Sequence, residues 1–218
     1  MNHTEAVEMM LKNLDNWRHL PKYQLERRAD MFFGLFIRHI MEARYGRMHD
    51  LIIPEFPYKN DKERNTTVNF DYVLFSENLD RVFVVELKTE PESAGGINNS
   101  YLNKVVEIPF EDIIGDLKSV VAATNQKNKY NCLIKLLEQI GFILKDSGNK
   151  WECSPKTGKP TVVYLTPKLK KELNGKFDMI LFDEAADILS KSGGAVECHF
   201  ASYLRRWNDN PAGSICCE

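Results

Sequence analysis

Apolar residues recur at helical spacing between residues 22 and 45: Leu25, Ala29, Phe32, Phe33, Phe36, Ile37, Ile40 and Met41. That period belongs to a helix with one buried face. Pro21 stands before the run and Gly46 after it, where start and stop signals belong. A fainter amphipathic repeat over 4–17 predicts a short preceding helix. From residue 51 the period changes. Residues 51–56 form a short apolar run bounded by prolines, while 66–75 and 81–89 are rich in β-branched and aromatic side chains. Ser76, Glu77, Asn78, Leu79 and Asp80 between the last two runs suit a hairpin turn. Three successive antiparallel strands are therefore expected over 51–89.

Residues 91–100 are rich in Gly, Ser and Asn and read as a loop. Residues 109–123 and 129–140 are helical by period. Residues 145–159 read as a polar turn region anchored by Trp151. A strand is expected at 161–165 and another at 179–182, followed by a polar helical C-terminal segment. No internal repeat or low-complexity tract interrupts the order. Helix, three-strand meander, helices, strand, strand, helix predicts an α/β fold, with a mixed central sheet flanked by helices.

Composition narrows this picture only a little. The chain has 218 residues with 43% hydrophobic content, which fits one domain spanning 1–218. A formal net charge of -2 is less basic than a dedicated nucleic-acid binder usually is, so any such surface has to be local. The N-terminal residues lack the apolar core of a secretory signal, and no apolar stretch is long enough to span a membrane. Cys132, Cys153, Cys198, Cys216 and Cys217 are odd in number and form no C-x-x-C pair. Free thiols in a reducing cytoplasm are the expectation.

The chemistry concentrates on two strands. Val68–Phe75 carries Asp71, and Val82–Thr89 carries Glu86-Leu87-Lys88. Side chains alternate along a strand, so Glu86 and Lys88 share a face, and Asp71 can join them from the neighbouring strand. Charges are costly in apolar surroundings unless they are paired or hold a metal. A hard divalent cation suits such carboxylates, because Mg²⁺ takes a few carboxylate oxygens and keeps waters for a phosphate. An exposed edge strand would show the same triplet, but the run up to Val85 has no polar alternation and reads as a covered central strand.

These residues resemble the PD-(D/E)xK nuclease superfamily, whose signature is an acid on one strand followed by Glu-x-Lys on the next. Ile53-Pro-Glu-Phe-Pro57 is similar to the first strand of bacterial members. Val85-Glu-Leu-Lys-Thr-Glu90 is similar to the third, and Val162-Val-Tyr-Leu-Thr-Pro167 to the fourth and its exit. The resemblance covers about 22–185. It implies a restriction-endonuclease-like αβββαβ core and hydrolysis of DNA phosphodiester bonds in repair, restriction or phage defence. It also implies Mg²⁺, replaceable by Mn²⁺, on Asp71, Glu86 and the Leu87 carbonyl, with Lys88 acting on the attacking water.

Members often add an acid from the first helix, and Glu26 is the best match, with Asp30 one turn on. Glu26 is also simply a favourable charge at a helix N-terminus, and both readings stand at this point. Many relatives carry a glutamine in the segment after Glu-x-Lys. This chain offers Asn98 and Asn99 there instead, beside Gly95-Gly96. Arg44, Arg47, Lys168 and Arg205-Arg206 are further candidates for a DNA path, and a homodimer is compatible with the family. The alternative function is a catalytically silent module of the same fold that binds protein or nucleic acid. The acidic balance and the missing glutamine favour it; the intact Asp71, Glu86 and Lys88 speak against it.

Overall fold

The computed structural model describes residues 2–61, 66–89, 101–145, 151–153, 157–168 and 175–209. The elements run α1 (His3–Trp17), α2 (Leu25–Tyr45), β1 (Met48–Asp61), β2 (Thr66–Ser76) and β3 (Val82–Leu87). Then follow α3 (Leu102–Val105), α4 (Phe110–Ala123), α5 (Lys127–Gln139), β4 (Ile143–Lys145) and β5 (Trp151–Cys153). The chain continues through β6 (Thr161–Thr166), β7 (Asp178–Leu181), α6 (Phe182–Ser192) and α7 (Ala195–Asp209). The five-stranded sheet has the order β1-β2-β3-β6-β7, and β4-β5 form a separate two-stranded sheet. The pairs β1-β2 and β2-β3 are antiparallel whereas β6-β7 is parallel, so the large sheet is mixed. The expected α/β class and three-strand meander are therefore present. No described helix is long and apolar enough to cross a membrane.

The chain forms two compact units, and the division runs through β3 and β6. One comprises 1–46, 86–99 and 163–218; the other comprises 47–85 and 100–162. In the first, α2 carries the apolar stripe read from the sequence, with Phe33, Ile37, Ile40 and Met41 fully buried. Phe32, Phe33 and Phe36 close on Phe200 of α7 at centroid distances of 5.7, 5.2 and 5.6 Å. Trp207 on α7 is fully buried and donates its indole N–H to Asp15 of α1 at 3.1 Å. α7 is thus a core element, where a polar helical segment is expected. Its apolar residues Phe200, Ala201, Leu204 and Trp207 sit at helical spacing among charged neighbours that mask them in a simple reading.

In the second unit, Phe75 and Phe110 pack against Phe142, at 4.9 and 5.8 Å between ring centroids. β1 is longer than the expected 51–56. Pro54 and Pro57 lie inside the strand instead of bounding it. As the edge strand of its sheet it tolerates residues without an N–H, which a central strand does not. The turn after β2 forms as expected: the Ser76 N–H donates to the Arg81 carbonyl at 3.0 Å, and the Ser76 hydroxyl donates to Asp80 at 2.6 Å. Within 145–159 the described residues 151–153 depart from the expected turn, while the Trp151 side chain lies outside the described residues. β5 returns along β4, pairing Cys153 with Ile143, and three residues are too few to display a strand period.

α2 begins at Leu25 rather than at residue 22. Two successive tight turns precede it, Leu20 N–H to Trp17 carbonyl at 2.9 Å and Tyr23 N–H to Leu20 carbonyl at 3.1 Å. Lys22 takes a left-handed φ of 65° between them, which ends any helix there. Gly46, with φ 87°, closes the other end, a backbone state that glycine reaches without a Cβ clash.

Candidate active site

β3 is buried along its whole length, and all of Val82, Phe83, Val84 and Val85 are within 1% of complete burial. Glu86 and Lys88 at its end are buried too, 5% and 8% exposed. The exposed edge-strand reading is thereby removed. The Lys88 ammonium lies 2.9 Å from Glu86 Oε1 and 3.6 Å from Glu26 Oε1. Glu26 is in the first turn of α2, and its carboxylate also accepts a hydrogen bond from the Thr89 backbone. The Lys88 N–H donates to the Leu165 carbonyl of β6 at 2.9 Å, which fixes the backbone beneath the pair.

The electrostatics of this cluster are those of surplus negative charge. Burial raises the pKa of Glu26 above the usual glutamate value; Lys88 lowers it and the Glu86 carboxylate raises it again. Two carboxylates flank one ammonium, Glu86 with its side chain 6% exposed and Glu26 with its side chain 36% exposed and reached by water. Hard oxygen donors of this kind fit a hard divalent cation, which would offset the surplus that Lys88 leaves. The candidate metal ligands are therefore chemically suited to Mg²⁺. Among the described residues, no group of three or more His, Cys, Asp and Glu is clustered as a ready-made metal site.

The other sequence candidates fall as follows. Asp71 lies on β2, partly buried. The β2-β3 ladder runs from Phe75↔Val82 to Tyr72↔Val85, so Asp71 is one residue beyond the paired segment on its strand. It belongs to the second compact unit, whereas Glu86, Leu87, Lys88 and Glu26 belong to the first. Asn98 and Asn99 lie outside the described residues. Arg44 is occupied structurally: it donates to the Met179 carbonyl at 2.8 Å and to Glu184 at 3.0 Å. Arg47 is an exposed side chain 3.5 Å from Glu77. Lys168 is exposed. Arg205 and Arg206 pair with Asp187 and Asp15 at 2.7 and 3.4 Å.

The Thr89 backbone donor to Glu26 was not foreseen, because a main-chain N–H leaves no trace in side-chain patterning. Glu26 itself was one of two open readings, and its position beside Lys88 decides that it faces the cluster.

No known family matches this chain. The same holds for curated proteins and for solved structures. The functional reading accordingly rests on the residues themselves.

Proposed function

We propose that this chain is a metal-dependent nuclease that hydrolyses DNA phosphodiester bonds, in repair, restriction or phage defence, built on a restriction-endonuclease-like αβββαβ core. The observation that carries the reading is Lys88 held between Glu86 and Glu26 at the buried end of a central strand. A purely structural salt bridge needs one carboxylate, and Lys88 faces a second, Glu26, that water still reaches. The sequence reading adds Asp71 from the Val68–Phe75 strand and the Leu87 carbonyl as further oxygen donors for Mg²⁺ or Mn²⁺. When bound, such a cation polarises the phosphoryl group and lowers the pKa of a water.

The chain's own residues supply the rest. Lys88 presents a positive charge to the pentacovalent phosphate as negative charge develops on its oxygens. The same ammonium orients the attacking water. Glu26 positions Lys88 through its carboxylate and is itself held by the Thr89 backbone. Glu86 and Lys88 are themselves buried, 5% and 8% exposed, which strengthens the interactions between them.

The test is a cleavage screen on linear, nicked, branched and single-stranded DNA with Mg²⁺ or Mn²⁺. The proposal expects cleavage that stops in EDTA and falls about a hundredfold or more in Glu86→Gln and in Lys88→Ala. Binding without cleavage, indifferent to the cation and to both substitutions, would instead identify a silent module of the same fold.

A further inference from the structure

Residues 17–28, Trp-Arg-His-Leu-Pro-Lys-Tyr-Gln-Leu-Glu-Arg-Arg, interleave aromatic and basic side chains within a chain of net charge -2. Trp17 closes α1 and is 47% exposed. Its ring meets that of Tyr23 edge-on at 6.2 Å between centroids and 64° between planes. Leu20, 55% exposed, lies in the turn between the two rings, so apolar surface here is grouped within a few residues, and grouped exposure is what marks an interaction surface. The paired tight turns at Leu20 and Tyr23 hold both rings in place, so little freedom is lost when something stacks on them.

The charges around the rings are not neutralised locally. Lys22, Arg27 and Arg28 are exposed and have no carboxylate partner among the described residues. The Arg28 guanidinium acts on the Tyr23 phenol, lowering the pKa that burial raises. The acids nearby are engaged elsewhere: Asp15 with Arg18, Arg206 and Trp207, and Glu26 with Lys88. Met31, 77% exposed, extends the same outer face of α2 one turn beyond Arg27 and Arg28.

We propose that Trp17, Tyr23, Lys22, Arg27 and Arg28 form a binding platform for single-stranded DNA beside the Glu86–Lys88 centre. Cations spaced along a short segment serve a phosphate backbone, and each unpaired base offers a flat face to Trp17. A duplex keeps its bases stacked on one another and has no free face to give, so the aromatic half of the platform selects the unpaired strand. The geometry also joins the two sites. Glu26 projects to Lys88 from the same helical turn that carries Arg27 and Arg28. A strand seated at the centre crosses one helix, about 10–12 Å wide with its side chains, to reach the outer face. The platform rests on the nuclease reading for its purpose and gives that reading a substrate class: single strands, flaps or frayed ends.

The experiment titrates the full chain in EDTA with fluorescein-labelled oligo(dT) and with a blunt duplex, following anisotropy. In parallel, unlabelled oligo(dT) is titrated while tryptophan emission is recorded. Oligo(dT) is expected to quench emission in the wild type, with the quench lost in Trp17→Phe, which keeps an aromatic ring for folding. Trp207 is fully buried, and the emission that remains in Trp17→Phe, from Trp151 and Trp207, is the background that oligo(dT) is expected to leave unchanged. Trp17→Ala is expected to weaken oligo(dT) binding about tenfold and leave duplex binding unchanged. Arg27→Ala with Arg28→Ala is expected to reduce the slope of log affinity against log salt for oligo(dT) by about 1.4. Equal oligo(dT) affinity in wild type and Trp17→Ala overturns the platform, whether or not the chain cuts DNA. Conversely, Trp17-dependent binding in a chain that cleaves no DNA with Mg²⁺ or Mn²⁺ keeps the platform and removes the nuclease reading.

Discussion

α2 has an ionic cluster at each end, and the two are built differently. At its C-terminal end, Arg44 donates to Glu184 and to the Met179 carbonyl, and the Tyr45 hydroxyl donates to Asp178 at 2.9 Å. Each carboxylate there receives a donor of its own, and the Arg44–Glu184 pair is more than a third exposed on both sides. At the N-terminal end, Glu86, its side chain 6% exposed, and Glu26, 36% exposed and also held by the Thr89 backbone, converge on a single buried ammonium. The first cluster reads as a joint between α2, β7 and α6, and the second carries charge that joining alone does not require. Electrostatic surplus, more than the mere presence of a salt bridge, is what separates a candidate site from a structural contact.

The contrast is sharpest in stability. Lys88→Ala leaves the Glu86 carboxylate buried without its ammonium, and is expected to cost about 3–5 kcal/mol. Arg44→Ala, on an exposed pair, is expected to cost about 1 kcal/mol or less from the lost ion pair. Urea denaturation of both variants in EDTA measures the difference. Equal losses would mean the two clusters are the same kind of object.

A smaller effect is expected from pH. The folded-state pKa of Glu26 lies above its unfolded value, chiefly through burial. Protonation therefore favours the folded chain. The stability is present below the unfolded glutamate value and falls as pH rises through the raised one. Glu26→Gln removes that slope, so its stability relative to wild type should grow between about pH 4 and neutrality. Denaturation at several pH values in EDTA reads the trend, and a gap that narrows with rising pH would contradict the burial argument.

The smallest effect concerns a thiol in the other unit. Burial, then the Glu111 carboxylate, pushes the Cys153 thiol up to about 11. Cys132 and Cys198 are exposed free thiols. Brief alkylation at pH 8 followed by peptide mapping should label those two before Cys153, because the thiolate is the reactive form. Early labelling of Cys153 would mean that the β4-β5 hairpin opens readily.

Much of this arrangement was legible in the chain. The valine run ending in Glu-Leu-Lys predicted a covered strand with two charges on one face, since strand alternation is a local property. The stripe on α2 was legible for the same reason. What stayed hidden depends on the fold as a whole. Pro54 and Pro57 looked like strand boundaries because nothing local says that β1 lies at a sheet edge. β4 and β5 are too short to show a period. Phe200, Leu204 and Trp207 were read as part of a polar tail, and only packing against α2 and Asp15 reveals their role. Arg44 looked like a DNA contact until its fork was seen to hold Met179 and Glu184. Residues 22–28 read only as the start of the long helix, because exposure, which gives the aromatic and basic pattern of 17–28 its meaning, is not written in the sequence.

The central proposal is that Glu86, beside Lys88 and Glu26, helps hold a divalent cation instead of closing a salt bridge. Calorimetric titration of the metal-free chain with Mn²⁺, repeated with Glu86→Gln, tests it most directly. The account predicts saturable binding to the wild type that is lost in Glu86→Gln, while urea denaturation in EDTA shows the variant still folds cooperatively. No heat of binding in the wild type, or the same isotherm in both proteins, would contradict it.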